Sequence, residues 1–171
     1  MISRDGLIPE GLGLCGALLL LTGAVSGCGF RLAGSEPLPA VLARPYLSIK
    51  DPYTDFAREL EHRLRISGAA LQDVREKASA TIEVTHDQVD ERTLSVSARN
   101  IPTEYELTYT VTFAVRWPDG ELLKPQTINI SKDYSFVEQE LLAKEQEADI
   151  LRRQMARDLA AIAMHRLTSL K

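Results

Sequence analysis

Residue types that commonly carry out chemistry are scarce in this sequence. There are two cysteines, Cys15 and Cys28, and three histidines, His62, His86 and His165. The histidines lack metalloprotease spacing such as H-E-x-x-H, and the sequence contains no G-x-S-x-G element and no phosphate-binding loop. We therefore expect no catalytic residues, no metal and no cofactor, and we interpret the chain as a non-enzyme.

Cys28 stands out because of what precedes it. Residues 12–25 form an apolar run that ends in the small residues Ser26 and Gly27, the layout of a secretory signal peptide. The run is about 14 residues long, shorter than the roughly 20 that a membrane-spanning helix needs. Cleavage before Cys28 would remove Cys15, so that the mature chain could form no internal disulfide.

The four residues V-S-G-C that end at Cys28 resemble the lipobox of bacterial lipoproteins. That resemblance implies a signal peptide at residues 1–27 and a lipid on Cys28, and Gly29 in place of an aspartate favours the outer membrane. Buried acyl chains contribute about 0.8 kcal/mol per CH₂ to anchoring. The alternative is an ordinary secretory signal with a coincidental cysteine.

Composition and charge narrow the class of partner. The chain has 171 residues, 44% hydrophobic and 26% charged, which is typical of a globular domain. Removing residues 1–27 removes one of 20 basic and two of 24 acidic residues, which leaves a net charge of −3. A chain this close to neutral is not expected to bind nucleic acid through its overall charge.

The first part of the mature chain predicts a tether, a strand and a helix. Residues 28–44 contain Gly34, Pro37 and Pro39, which predict an irregular, lipidated tether. Residues 45–50 predict a strand, and Asp51 and Pro52 predict the start of a helix. The helix has an apolar stripe and ends before Gly68; the stripe consists of Phe56, Ala57, Leu60 and Leu64.

Strands dominate the middle of the chain. We predict them at residues 81–85, 93–98, 104–116 and 127–134, with a turn at residues 117–120. The longest alternates strictly, which indicates one dry and one wet face. Its dry face contains Tyr105, Leu107, Tyr109, Val111, Phe113 and Val115.

A long helix follows at residues 138–168. Ser135 and Glu138 form an S-x-x-E capping box before it. Its predicted stripe contains Leu151, Met155, Leu159, Ile162 and Arg166, with Ala148 and Ala163 beside it. Two amphipathic helices and a sheet with one dry face predict a two-layer α/β sandwich over residues 45–171, with both helices on one face. The other face, rich in Thr, Ser and Glu, would be open to solvent or a partner.

Several short stretches resemble the LptE family of lipoproteins, partners of the lipopolysaccharide-transport barrel LptD. They are C-G-F-R-L from Cys28, E-L-E-H-R-L-R-I-S-G ending at Gly68, R-N at Arg99 ahead of T-E-Y, and L-A-K-E around Lys144. Each stretch is weak alone, but their order and spacing together are specific.

The resemblance implies an α+β fold in which two helices pack against a mostly antiparallel four-stranded sheet. It further implies a lipid-anchored protein on the periplasmic side of the outer membrane, which plugs the LptD barrel and binds lipopolysaccharide through Arg99 and Lys144. From the residues alone, Arg99 could equally be an ordinary loop arginine, and Lys144 a solvated lysine pairing with a nearby acid. The alternative function is a periplasmic adaptor lipoprotein of another envelope transporter that does not bind lipopolysaccharide.

Overall fold

A computed structural model describes residues 38–117, 119–135 and 141–170, with backbone alone at residues 141–144. Within these ranges the chain forms one four-stranded sheet and two α-helices. In chain order the elements are β1 (Pro45–Ile49), α1 (Asp55–Ile66), β2 (Ala80–Val96), β3 (Pro102–Trp117), β4 (Gly120–Ser135) and α2 (Leu141–Thr168). No helix in the described ranges combines the length and apolar character needed to cross a membrane.

The sheet is mixed, with the strands side by side in chain order. β1 runs parallel to β2 because α1 crosses over between them. β2, β3 and β4 form an antiparallel meander joined by two tight connections. The mostly antiparallel sheet that the family resemblance implies is therefore confirmed, and the parallel pair is β1 with β2.

α1 begins at Asp55, later than predicted. The carboxylate of Asp51 instead accepts the backbone N–H of Tyr53 at 2.9 Å, in a local turn before the helix. Thr54 is the N-cap, and its hydroxyl oxygen accepts the backbone N–H of Ala57 at 3.1 Å. Gly68, at φ 89°, follows the helix end as predicted.

β2 is one strand of 17 residues, not the two short strands that we predicted. Polar residues in the middle of the strand obscure the alternation of apolar and polar side chains, and a β-bulge shifts that alternation by one residue. Val84 lies opposite Phe113 and His86 opposite Thr112, so Thr85 is the extra residue. After the bulge Asp87 lies opposite Val111, so odd-numbered residues of β2 now share the dry face.

The helices and the dry face of the sheet enclose the core, as predicted for a two-layer sandwich. The buried residues of α1 and the dry face of β3 match the predicted sets, with Tyr105 only partly buried. The largest fully buried side chains come from both helices and the sheet, as in Phe56, Leu60, Ile82, Phe113, Met155 and Leu159.

The stripe predicted for α2 is partly wrong. Ile162 is 38% exposed, whereas Ala156 and Ala160 are buried beside Met155 and Leu159, together with the predicted Ala148 and Ala163. Alanines allow the helix to approach its neighbours closely, so the buried row follows them rather than the larger isoleucine.

Part of the predicted tether belongs to the fold. Residues 40–42 form a 3₁₀ turn, Leu42 is fully buried, and Leu38 and Val41 pack against the core. The backbone N–H of Ala70 donates to the carbonyl of Ala43 at 2.8 Å. The folded part therefore begins before Pro45. The predicted signal peptide, Cys28 and the tether up to residue 37 lie outside the described residues, as does most of the predicted capping box after Ser135.

Candidate functional site

The long strands give the sheet two distinct ends. At the proximal end, where the chain enters β1, Pro45 pairs with Ala80, Thr81 with Arg116 and Trp117 with Gly120. At the distal end, the turn between β2 and β3 contains Arg99. A strand of 17 residues spans about 55 Å, so the two ends are far apart.

Arg99 lies in a well-defined turn. The backbone N–H of Ser97 donates to the carbonyl of Ile101 at 2.7 Å, and that of Asn100 to the carbonyl of Ser97 at 2.9 Å. Asn100 has φ 62°, in the left-handed region that asparagine tolerates better than most residues. Arg99 is exposed, so this turn presents its guanidinium at the distal end of the sheet.

Lys144 lies in the first turn of α2, and its side chain lies outside the described residues. Ser135 at the end of β4 pairs with Glu104, and α2 begins six residues later. Glu145 shares a shallow cleft with Glu91 and Tyr134, so this helix start lies toward the distal end. Glu91 is five residues before the end of β2, about 17 Å along the strand, and Arg99 lies in the turn beyond it. The two predicted positions therefore both lie toward the distal end of the sheet, but at different levels.

Two carboxylates of β2 pair with tyrosines of β3 and β4 on the dry side of the sheet, which sequence analysis missed. The hydroxyl of Tyr109 donates to Asp87 at 2.8 Å and accepts the backbone N–H of Phe56 at 3.3 Å. The hydroxyl of Tyr134 donates to Glu91 at 2.7 Å. The bulge at Thr85 brings both carboxylates to this face, and no alternation in the sequence reveals it.

Burial governs the ionisation of these tyrosines. Burial raises the pKa of Tyr109 above its ordinary value, and its hydrogen bond to Asp87 adds to the effect. Burial likewise raises the pKa of Tyr134, which also donates to Glu91. A hydroxyl that holds its proton this firmly is a hydrogen-bond donor rather than a base, so the pairs tie elements together.

The open face of the sheet is polar and internally paired. The hydroxyls of Thr108 and Ser131 lie 2.9 Å apart, as do those of Thr112 and Thr127. Toward the distal end Arg92 binds Glu106 at 2.6 Å, and this contact raises the pKa of the arginine and lowers that of the glutamate. Several polar groups on the predicted Thr-, Ser- and Glu-rich face therefore bind each other.

In the described ranges, no group of three or more His, Cys, Asp or Glu side chains is arranged to hold a metal ion.

Comparison with known proteins identifies the family. Residues 44–167 match the family model described as "LptE: Lipopolysaccharide-assembly". The chain belongs to the LptE family. The resemblance seen in the sequence is thus confirmed, and LptE proteins are lipopolysaccharide-assembly proteins rather than a family of enzymes.

Relatives and solved structures agree with this placement in the LptE family. The LPS-assembly lipoprotein LptE of Yersinia enterocolitica is 32% identical over 149 residues, which cover 86% of this chain and 70% of that protein. Rare lipoprotein B from Shewanella oneidensis is 29% identical, and its crystal structure gives a TM-score of 0.64. The match covers 74% of this chain and 94% of that protein. The solution structure of a lipoprotein B from Nitrosomonas europaea is 26% identical, with a TM-score of 0.68. The match covers 82% of this chain and 91% of that protein.

Proposed function

We propose that this LptE-family chain is an outer-membrane lipoprotein, anchored through Cys28, that plugs the LptD barrel, assists its assembly and binds lipopolysaccharide in transit. Family membership supports a role in lipopolysaccharide assembly. The names of the similar proteins support lipid anchoring.

The observation that carries the lipopolysaccharide part of the proposal is the position of Arg99. The hairpin turn presents this exposed side chain at the distal end, toward which the α2 turn with Lys144 also lies. Lipid A and core phosphates are dense anions, and a guanidinium matches phosphate geometry while an ammonium supplies a point charge. The two cations, at different levels of the same end, would contact separate phosphates of one large glycolipid.

The open sheet face supports the plug. The lumen of a wide membrane barrel is polar and water-filled, and the hydroxyl pairs Thr108–Ser131 and Thr112–Thr127, with the ion pair Arg92–Glu106, present polar groups that already have partners. Such paired groups can lie against a polar wall without losing their hydrogen bonds.

The length of the domain also fits. The ten residues from Cys28 to Leu38 reach at most about 35 Å, so a lipid on Cys28 would hold the proximal end near its leaflet. Arg99 is about 55 Å farther along the sheet, more than the 40–45 Å of a bilayer with its headgroups. A plug held in this way would carry its cations toward the opposite leaflet.

The first test reverses the two distal charges. Arg99→Asp with Lys144→Asp should reduce capture of purified lipopolysaccharide by about tenfold or more, because charge-assisted hydrogen bonds are replaced by repulsion. The matched control is Arg44→Asp with Lys77→Asp, which makes the same change of net charge at exposed positions of the proximal end. Circular dichroism checks that both variants fold.

Equal capture by the distal variant and the wild type would overturn the proposed lipopolysaccharide site. Equal losses in the two double variants would instead assign binding to overall charge. Purification of the tagged protein from membranes tests the plug: an LptD barrel should accompany it, whereas a different envelope transporter in its place would select the adaptor function.

A further inference from the structure

The proximal end exposes apolar side chains from three separate connections. Trp117, before the β3–β4 turn, is 47% exposed, Val74 in the loop before β2 is 44% exposed, and Ile66 at the end of α1 is 69% exposed. Single exposed apolar residues are normal on protein surfaces. The distal end also exposes Leu94 and Val96, but the proximal end adds the large indole ring of Trp117 to its aliphatic side chains.

Hydrogen bonds fix the connections that carry these side chains beside the start of β1. The loop before β2 is held there because the backbone N–H of Gln72 donates to the carbonyl of Pro45 at 2.9 Å, and that of Ala70 to the carbonyl of Ala43 at 2.8 Å. Ile66 is only four residues before Ala70. The three apolar side chains are thus presented by anchored backbone.

A shallow cleft of about 490 Å³ joins this loop to the β3–β4 connection. Arg75 and Trp117 are among its lining residues, and the Arg75 guanidinium lies 5.8 Å from the centre of the Tyr46 ring. The proximal surface therefore combines two aromatic rings with aliphatic side chains, a composition typical of proteins at a membrane–water boundary.

The charges around this surface nearly balance. Arg44, Arg75 and Lys77 are exposed there, as are Asp73 and Glu76. The guanidinium of Arg116 is already held by Glu83 at 2.7 Å and faces Glu121 at 3.6 Å. A partner that binds by charge alone would find little net attraction, so the apolar and aromatic side chains are the feature that a partner can use.

We propose that, when the protein is not engaged by a barrel, its proximal end rests on the headgroup layer of the lipid leaflet, with Trp117 and Val74 at the lipid boundary. This rests on the anchoring at Cys28 proposed above, which puts a lipid at most ten residues before Leu38. The tether makes the contact intramolecular and raises its effective concentration, so a small apolar area is sufficient. In this state Arg99 points away from the leaflet, accessible to an arriving partner.

Trp117 is the only tryptophan of the chain, so its fluorescence reports this contact directly. The lipidated protein is reconstituted in vesicles of phosphatidylethanolamine and phosphatidylglycerol, with or without bromine on the acyl chains. We expect Trp117 emission to shift to shorter wavelength and to lose intensity in the brominated vesicles. Because the local charges balance, added salt should leave this loss unchanged.

The control moves the tryptophan to the other end of the sheet. Val96 is 52% exposed near the distal turn, so Val96→Trp in the Trp117→Phe background reports a site of similar exposure. Its emission should be the same in both kinds of vesicle. Equal quenching at the two positions, or none at Trp117, would overturn the proposal, and quenching that salt abolishes would assign the contact to charge instead.

Mass spectrometry of Cys28 separates this proposal from the anchoring on which it rests. A lipid on Cys28 without quenching of Trp117 contradicts the leaflet contact and leaves the anchoring intact. An unmodified Cys28 contradicts the anchoring. In that case titrating the same protein with vesicles still decides the contact, because Trp117 must then be quenched at high lipid concentration or the proposal is wrong.

Discussion

Tyr109 is the residue on which the junction of α1 with the sheet depends. Its hydroxyl touches Asp87 on β2 and the first turn of α1 at Phe56, and Asp87 also accepts a hydrogen bond from the Thr54 side chain. The Thr54 oxygen in turn caps α1. One buried hydroxyl thereby orders a chain of polar contacts between two elements.

Tyr109→Phe should lower the free energy of unfolding by about 1–3 kcal/mol, because it leaves the Asp87 carboxylate and the Phe56 N–H short of a partner. Urea unfolding followed by circular dichroism measures the loss. Tyr53→Phe is the control, since Tyr53 is 81% exposed and should change stability by no more than about 0.5 kcal/mol. Similar losses in both variants would contradict the role given to Tyr109.

The same tyrosine gives the stability a dependence on alkaline pH. An unfolded tyrosine loses its proton near pH 10, whereas burial raises the pKa of Tyr109 above that value in the folded chain. The stabilising hydrogen bond is therefore fully present below pH 10, and stability falls above it, by up to about 1.4 kcal/mol per pH unit for each such tyrosine. In Tyr109→Phe the decline with pH should be shallower than in the wild type, and an unchanged slope would show that Tyr109 titrates normally.

Among the elements, those with simple periodicity could be predicted from the sequence. The stripe of α1 and the strict alternation of β3 each follow one face of one element, and both are found as predicted. β2 was misread because its dry face changes from even to odd positions at Thr85. The stripe of α2 was misread at Ile162 because close packing selects small side chains, a tertiary effect that hydrophobicity alone does not express.

The bulge makes a prediction about single-residue deletions in β2. Deleting Thr85 removes the extra residue and leaves Asp87 opposite Val111, so the chain should stay folded with a modest loss of stability. Deleting Gln88 instead turns Glu91 out of the dry face and Arg92 into it, which should cost about 1–3 kcal/mol more than the first deletion because the Tyr134 hydroxyl loses its Glu91 partner. Thermal unfolding compares the two deletions. Equal losses of stability would contradict the assignment of Thr85 as the extra residue of the bulge.

At the scale of the whole molecule, the sequence located the parts of the candidate site but not their arrangement. The resemblance singled out Arg99, and the structure places it in an exposed turn. The distance between the two ends could not be predicted, because it depends on β2 being one continuous strand. The proximal surface could not be predicted either, since Ile66, Val74 and Trp117 come from separate parts of the chain, and tertiary hydrogen bonds hold the loop before β2 at this end.

The start of the domain gives a whole-molecule prediction. Leu42 is fully buried although it lies in the stretch that the sequence predicts to be a tether, so Leu42→Ala should cost about 2–5 kcal/mol through the cavity that it leaves. Ile150→Ala is the control, because Ile150 is 56% exposed on α2 and alanine favours helix. If chemical denaturation gave Leu42→Ala the stability of the wild type, residues 38–44 would not be part of the folded unit.

The pairing of β2 with β3 restricts how the length of this protein can vary. Side chains alternate between faces, so removing one residue from one strand inverts every later position, whereas removing two from each strand preserves the faces. Each such step would move the distal turn by about 7 Å. Homologous chains with a shorter or longer reach should therefore differ by matched pairs of residues in these strands, and by a single residue only where a bulge absorbs it.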